Sequence, residues 1–439
     1  MSALLCVPSV LGQNDLVKRL EHVAKLVSAN QTVEAERELA GVLKIAPNEP
    51  AALNLLGTIR ARQGRLREAE LLFSRAVRAD SQFVAAHMNL AYLYTLMDQP
   101  TKTVSELKEV LRLEPKNTEA VDKLARFLLA HGQIDEGIKV LEQAEQSQVL
   151  SVPLLVLAGD ANLKKGNPAR AEENYRKALD RERETTEAVL GLAQVSQFRG
   201  EMDLALRYLA RARKMEANSP DTLYRFALVA MQAGLYEEAN TTLQAAVKLK
   251  SDDPLYFVAL GNTWLKKPDL GEAEEAFRHA LRLEPENPQT QMYLGYTLLE
   301  QKKYPEARQW LEKSLQKDKR VPQTFYYLGQ LAQEQNEDER AMDLFKKAIE
   351  LAPSYAFAHA ALGSGYLRLR NYQMAQQELE LSVKLDPEYA KAHYDLAVLF
   401  ARLKNEQRAR EEMQVVEKLR RSKGVSTEGD VSSEPRPPE

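Results

Sequence analysis

Glycine or alanine recurs at a fixed spacing of 34 residues along nearly the whole chain. In most cases a second small residue stands twelve residues after the first, as Ala69 follows Gly57 and Ala273 follows Gly261. Eleven positions keep the first register without an insertion: Gly57, Ala91, Ala125, Gly159, Ala193, Ala227, Gly261, Gly295, Gly329, Gly363 and Ala397. A period of this length is typical of chains that stack one small unit many times, so function is expected on a repeated surface rather than in one pocket.

Each period contains the pattern of two amphipathic helices. In residues 254–287, apolar side chains recur at helical spacing at Phe257 and Trp264, and again at Ala273 and Phe277. Turn-forming residues separate the two halves in several periods: Gly64, Gly132, Gly166, Gly200, Gly234, Pro268 and Asn336. Small residues where two helices cross let the backbones approach closely, and large residues then fill the remaining space. We predict helix pairs that gain their stability by stacking on their neighbours.

Two stretches carry a recognisable motif, in which Leu-Gly near aromatic residues is followed by alanine, a large residue and a small residue. They are Tyr293, Leu294, Gly295, Tyr296, Ala307, Leu311 and Ser314, and Phe325, Leu328, Gly329, Ala341, Phe345, Ala348 and Pro353. Together with the period, this motif resembles the tetratricopeptide repeat family. The resemblance implies an all-α fold, an α-solenoid in which antiparallel helix pairs stack into a right-handed superhelix.

The repeat register covers almost the entire chain. It gives twelve repeats over residues 16–423, which predicts one continuous elongated domain. Residues 1–15 and 424–439 lie outside the register. Because the C-terminal tail has no apolar periodicity, we predict that it is disordered.

The first twelve residues have some features of an export signal. Residues 1–12 form an apolar run that ends in Val-Leu-Gly, as at a signal-peptidase site before Gln13, but no basic residue precedes the run. We expect either an exported, periplasmic protein with a short signal or a cytoplasmic protein with an ordinary N-terminal segment. Cys6 is the only cysteine, so no intrachain disulfide is expected.

The charges are balanced and mixed along every repeat. The formal net charge is −3 and the isoelectric point is near 6.2. A protein that follows nucleic acid phosphates would carry a basic stripe, so we expect no nucleic acid partner. No run approaches about 18 consecutive apolar residues, so no conventional transmembrane segment is expected.

Histidines are the main candidates for chemistry. His87, His359 and His393 share one position of the repeat, where Phe257 and Phe325 stand in other repeats. A metal bound between His359 and His393 is one interpretation, but no cysteine or obvious third acidic ligand accompanies them, so packing is favoured. The sequence has no glycine-rich phosphate loop, nucleophile elbow or spaced metal motif. We predict no enzyme activity, no cofactor and no metal.

The resemblance also indicates a ligand-binding surface, because the first helix of each pair lines a concave groove in tetratricopeptide arrays. In the later repeats the groove positions are rich in aromatic and amide side chains: Arg225, Asn262, Gln289, Tyr293, Tyr296, Gln323, Tyr326, Tyr327, Gln330, Phe357, Arg368, Lys391 and Tyr394. Tyrosine offers flat apolar area and amides pair with an extended backbone, so this composition suits a peptide. The alternative is that some tyrosines fill gaps between neighbouring first helices. Equivalent positions in the earlier repeats are more charged and less aromatic: Asn54, Arg62, Asn89, Tyr92, Glu119, Lys123, Arg126, Asp160, Lys164, Glu187 and Gln194.

The predicted function is a non-enzymatic scaffold or adaptor that binds partner proteins or peptides in this groove. The alternative is an accessory or regulatory subunit of a glycosyltransferase or polysaccharide-export system, whose tyrosines would stack on sugar rings. Sugar stacking needs individual exposed rings, whereas peptide binding spreads over amides and aromatic side chains.

Overall fold

The computed structural model describes residues 10–422, which are helical apart from short turns and contain no strand. The helices of this range are α1 (Val10–Ser28), α2 (Thr32–Ile45), α3 (Pro50–Arg62), α4 (Leu66–Ala79), α5 (Val84–Leu96), α6 (Pro100–Leu113), α7 (Thr118–Ala130), α8 (Ile134–Gln146), α9 (Val152–Lys164), α10 (Pro168–Arg181), α11 (Thr186–Phe198), α12 (Met202–Met215), α13 (Pro220–Gln232), α14 (Tyr236–Leu249), α15 (Pro254–Lys266), α16 (Leu270–Leu283), α17 (Pro288–Glu300), α18 (Tyr304–Lys317), α19 (Pro322–Glu334), α20 (Asp338–Leu351), α21 (Ala356–Arg368), α22 (Tyr372–Leu385), α23 (Ala390–Arg402) and α24 (Glu406–Ser422). The predicted all-α solenoid of helix pairs is confirmed.

Each repeat consists of an odd-numbered first helix and the even-numbered second helix that follows it, as α3 packs on α4 and α17 packs on α18. The chain forms two compact units, which we call the N-terminal block (Met1–Tyr208) and the C-terminal block (Leu209–Glu439). The sequence predicts a single continuous domain, whereas the boundary between the blocks falls inside α12.

The ends of the array differ slightly from the predicted register. Helix α1 begins at Val10, ahead of the predicted start at Leu16, and α24 ends at Ser422. Residues 1–9 and 423–439 lie outside the described residues, so the export signal and the disordered tail stay predictions. No helix within the described part of the chain combines the length and the apolar character that crossing a membrane requires.

Size complementarity holds each helix pair together. A Cβ atom added to Gly261 would lie 2.6 Å from a ring carbon of Phe277, and one added to Gly329 would lie 2.5 Å from a ring carbon of Phe345. The rings therefore occupy the space that a side chain on the first helix would need. The facing residue is not always a ring, since Gly295 faces Leu311, and Ala91 is buried in the same cluster as Leu107.

The turn between the two helices of a repeat contains a residue in the left-handed backbone conformation. Gly64 and Gly234 have φ angles of 75° and 77°, and Lys302 and Asn336 at the same repeat position both have 60°. Glycine adopts this conformation without steric cost, which explains the turn-forming glycines of the sequence. The predicted turns are therefore confirmed, and the conformation is kept even where the residue is not glycine.

Three repeats contain the same buried histidine clamp. His359 Nδ1 lies 2.6 Å from Glu378 Oε2, and Nε2 lies 3.0 Å from the Pro353 carbonyl oxygen. His87 and His393 make the equivalent pair of contacts. At His359 both partners accept hydrogen bonds, so a ring that satisfies both carries a proton on each nitrogen. The favoured interpretation, that these histidines pack between helices, is confirmed, since all three are buried.

The glutamate partners were missed by sequence reasoning, although the signal was present. Glu106, Glu378 and Glu412 each follow their histidine by nineteen residues, while Phe257 and Phe325 at the histidine position are followed by Ala276 and Leu344. Within the described residues, no three His, Cys, Asp or Glu side chains form a group that could hold a metal ion.

The clamp predicts a pH-dependent contribution to stability at His359. Burial alone would lower the pKa of His359. The hydrogen bonds to Glu378 and to the Pro353 carbonyl together raise it by a larger amount, so the pKa lies above its usual value. A raised pKa means that the contribution is complete below the unfolded pKa and is lost as pH rises through the folded pKa. Replacing Glu378 with glutamine should therefore lower the free energy of unfolding by about 1.5 to 3 kcal/mol near pH 5.5.

Urea unfolding of the wild type and of Glu378→Gln at acidic and alkaline pH tests this expectation. The difference between the two proteins should shrink as pH rises through the folded pKa of His359. Glu350→Gln, at an exposed glutamate of the preceding repeat, is the control and should show no such trend. A difference that stays constant or grows with pH would show that His359 is not held in its protonated form.

Candidate partner-binding surface

The four tyrosines at the centre of the predicted groove are buried. Tyr293, Tyr296, Tyr326 and Tyr327 are each at most 5% exposed and belong to one hydrophobic cluster. The prediction that they face an open groove is wrong, and the alternative that such rings fill gaps between first helices holds for them. The physical reason is that α17 and α19 contact each other directly, so large side chains on their facing surfaces are enclosed.

These rings continue into a chain of aromatic contacts within the C-terminal block. The ring centroids of Tyr296 and Tyr327 are 4.7 Å apart, and those of Tyr326 and Tyr355 are 5.4 Å apart. Phe357 then meets Tyr355 edge to face at 6.0 Å. Offset and edge-to-face pairs of this kind stabilise a core beyond the area that they bury. The aromatic cluster thus joins three successive first helices.

The predicted amide residues mostly serve the buried tyrosines. Gln289 Nε2 donates a hydrogen bond to Tyr293 Oη at 2.9 Å, and Gln330 Nε2 donates to Tyr326 Oη at 3.1 Å. Asn262 also hydrogen-bonds to Tyr293. Burial raises the pKa of Tyr293 by more than the hydrogen bonds from Gln289 and Asn262 lower it. Gln289, Gln330 and Asn262 therefore stabilise the buried tyrosines.

Two of the three charged members of the predicted set, Arg368 and Lys391, also have partners within the chain. Arg368 Nη2 lies 2.9 Å from Asp338 Oδ1, and Lys391 Nζ lies 3.9 Å from Asp395 Oδ2. Burial raises the pKa of the Asp395 carboxyl, while Lys391 and a hydrogen bond from Ser364 act in the opposite direction. Of the other predicted positions, Arg225 and Gln289 are exposed, and Asn262, Gln323, Gln330, Phe357, Lys391 and Tyr394 are half-buried. Partner binding stays a prediction at these accessible positions.

Exposed large apolar residues stand instead on two first helices of the N-terminal block. Tyr92 and Leu96 follow each other by one helical turn on α5 and are 58% and 53% exposed, and Phe198 at the end of α11 is 59% exposed. Phe198 stands at the same repeat position as Leu96. We define the N-terminal first-helix face by the residues at the repeat positions of Tyr92 and Leu96 in α5, α7, α9 and α11, together with Lys123. Its accessible members are Tyr92, Leu96, Lys123, Arg126, Ala130, Asp160, Lys164, Gln194 and Phe198.

Tyr92 and Tyr296 occupy the same repeat position but differ in their neighbours. Tyr296 packs on Tyr327 of the next repeat, whereas the residue that corresponds to Tyr327 after Tyr92 is Lys123, which is exposed. A flexible lysine does not enclose a ring as a second tyrosine does. The exposure of Tyr92 therefore follows from the composition of the next repeat.

The charges beside these apolar residues are only partly neutralised within the chain. Arg126 Nε lies 2.7 Å from Asp122 Oδ1, and Lys123 Nζ lies 3.6 Å from Glu119 Oε1. Such exposed pairs contribute little to stability and exchange partners readily. Sequence reasoning missed Leu96 and Phe198, although both stand at a repeat position that carries a charged residue in many other repeats, as at Lys164.

Tyr327 provides a test of whether the buried rings serve the fold alone. Its Oη has no hydrogen-bond partner among the described residues, and burial raises its pKa well above the usual range. Because a buried hydroxyl without a partner costs free energy, Tyr327→Phe should leave the free energy of unfolding within about 0.5 kcal/mol of the wild type or raise it. Urea unfolding measures this change.

Tyr256→Phe is the matched control for Tyr327→Phe. The ring of Tyr256 is equally buried, but its Oη donates a hydrogen bond to Asp221 Oδ1 at 2.6 Å. Loss of a hydrogen bond to a charged group should cost about 1.5 to 3 kcal/mol. An equal loss in the two variants would show that the Tyr327 hydroxyl has a partner and would contradict a purely structural role.

Comparison with known proteins gives distant relatives that are much longer than this chain. The cellulose synthase operon protein C of Pseudomonas fluorescens (strain SBW25) is 27% identical over 225 residues, which are 49% of this chain and 18% of that protein. The protein of the same name from Xanthomonas axonopodis pv. citri (strain 306) is 25% identical over 229 residues, 52% of this chain and 13% of that protein. The chain thus spans less than a fifth of the length of these relatives. Among solved structures, the APC/C hetero-tetramer Cut9-Hcn1 is similar with a TM-score of 0.47 and 15% identity, covering 88% of this chain and 82% of that one.

Family comparison covers most of the array. The family described as Tetratricopeptide repeat matches residues 25–82, 55–95, 197–254, 224–288, 258–323 and 360–422, and a second match of the same description covers residues 322–355. A Tetratricopeptide repeat-like domain matches residues 83–195. These matches agree with the helix pairs and with the small residues at their crossings. The chain belongs to the tetratricopeptide repeat family.

Proposed function

We propose that this protein is a non-enzymatic scaffold or adaptor that binds a partner protein or peptide on the N-terminal first-helix face. Membership of a repeat family that generally serves as an interaction scaffold supports the general function. The observation that carries the specific proposal is the exposure of Tyr92, Leu96 and Phe198 on first helices. Tyr92 and Leu96 are neighbours on α5, and exposed apolar residues that cluster mark contact sites more often than scattered ones do.

The chemistry of this face indicates the kind of partner. Tyrosine and phenylalanine supply large, rigid contact areas, and burying one such side chain gains about 1.5 to 3 kcal/mol. Lys123, Arg126 and Lys164 lie among the apolar residues, with Asp160 as the opposite charge. A partner segment with apolar anchors and a surplus of acidic residues would match this face.

A glycan-binding accessory subunit is the second candidate function. The name of the two bacterial relatives, cellulose synthase operon protein C, favours a connection to polysaccharide synthesis. Stacking on sugar requires exposed rings, which the buried Tyr293 and Tyr327 do not offer. Tyr92 and Phe198 are the rings of the proposed face that a glycan would contact.

The test compares two triple variants of the full chain as bait in a native extract, followed by quantitative mass spectrometry. Tyr92→Ala/Leu96→Ala/Phe198→Ala should reduce recovery of a specific partner by about tenfold or more, because anchors of this kind carry most of the binding energy. Val33→Ala/Ile45→Ala/Leu71→Ala is the matched control, since it removes three exposed apolar side chains from second helices of the same block.

Equal recovery with both variants would contradict the proposed face. Circular dichroism shows whether each bait is folded, and exposed side chains are not expected to affect folding. Calorimetric titration with cello-oligosaccharides tests the second candidate directly. Binding of the sugar that the first triple variant loses, without any protein partner, would favour the glycan function over the scaffold.

A further inference from the structure

A basic depression lies in the C-terminal block and shares no residue with the N-terminal first-helix face. It has a volume of about 540 Å³ and lies between the C-terminal ends of the second helices α12 and α14. Its rim carries Arg213, Lys214 and Lys248, and its apolar wall is formed by Leu223, Ala245 and Leu249. A volume of this size is within the range of protein sites that hold ligand groups.

The three cations are available to an outside partner. Lys214 and Lys248 occupy the same repeat position on successive second helices, so their ammonium groups flank one depression. The guanidinium of Arg213 lies 4.6 Å from the ring centroid of Phe226, a contact that favours one orientation of the side chain. No carboxylate of the described chain forms an ion pair with any of the three.

The wall between the cations is apolar and open. Leu249 is 47% exposed, whereas Leu223 is buried and forms part of the floor. In the turn beside them, Ala217 stands where Pro47, Pro115 and Pro285 stand in other repeats. Unpaired positive charge around exposed apolar surface is complementary to a segment that carries both carboxylates and an apolar side chain.

We propose that this basic depression docks a short acidic segment of a partner protein, with carboxylates on Lys214 and Lys248 and an apolar side chain against Leu249. A concave site with its cations at the rim suits side chains of a peptide better than the flat surface of an anionic bilayer. The site is separate from the face of the proposed function, so either can fail without the other.

Cations in the last turn of a helix also have a structural role, because they oppose the partial negative charge of the exposed carbonyl groups. Arg282 and Lys384 stand at the same repeat position as Lys214 and Lys248, in the last turns of α16 and α22. They provide a matched control, since charge reversal there removes the same interaction with a helix end but leaves the basic depression intact.

The experiment measures fluorescence anisotropy of a short labelled peptide in which Asp and Glu alternate with Leu, titrated with the full chain. The reference peptide has Asn and Gln in place of the acids. The acidic peptide should bind more tightly than its neutral analogue, and added salt should weaken that preference. Lys214→Glu/Lys248→Glu should weaken binding by about tenfold or more, and Arg282→Glu/Lys384→Glu should change it by less than about threefold.

Three results would overturn the proposal. The first is equal or undetectable binding of the two peptides by the wild type. The second is an equal loss in the two double variants, which would assign the lysines to helix stability alone, with circular dichroism as the check of folding. The third is binding to phosphatidylserine vesicles that the Lys214→Glu/Lys248→Glu variant loses while the acidic peptide does not bind, which would assign the depression to a membrane surface.

Discussion

The array depends on one contact, in which a large side chain of the second helix fills the space left by a small residue of the first. The large residue is an aromatic ring opposite some glycines and a leucine opposite Gly295 and Gly363. Glycine faces an aromatic ring in the pairs formed by Gly261 with Phe277 and Gly329 with Phe345, whereas Ala91 shares a cluster with Leu107. Because interiors are close-packed, a side chain added to the first helix must displace the large residue that faces it.

This constraint leaves the outward faces of the helices free to differ between repeats, and function is expected there. The aromatic residues of α17 and α19 are enclosed because the neighbouring repeat supplies a second ring, as Tyr327 does for Tyr296. On α5 the neighbouring repeat supplies Lys123, and Tyr92 stays exposed. The same side chain at the same repeat position thus serves the core in one block and a candidate surface in the other.

The helix pairs, their turns and the family were predictable because each depends on residues close in sequence and repeated many times. The N-terminal first-helix face was not predictable, because the exposure of a ring depends on the residue that faces it one repeat away, as Lys123 does for Tyr92. The histidine clamps were half predictable. Their burial followed from the position shared with Phe325, but the role of Glu378 depends on contact between two helices of one repeat. Partner binding by Arg225 or Tyr394 depends on a molecule outside the chain and stays a prediction.

A double-mutant cycle on Gly261 and Phe277 tests the central constraint most directly, with the free energy of unfolding as the measured quantity. Gly261→Ala should destabilise the protein by about 1 to 3 kcal/mol, because the new Cβ atom meets the ring, and Phe277→Leu should also destabilise it through a cavity. The double variant recreates the pair of Ala91 and Leu107, so it should be more stable than the sum of the single effects predicts by at least about 1 kcal/mol. Additive effects would contradict the account, since the two positions would then not share one space.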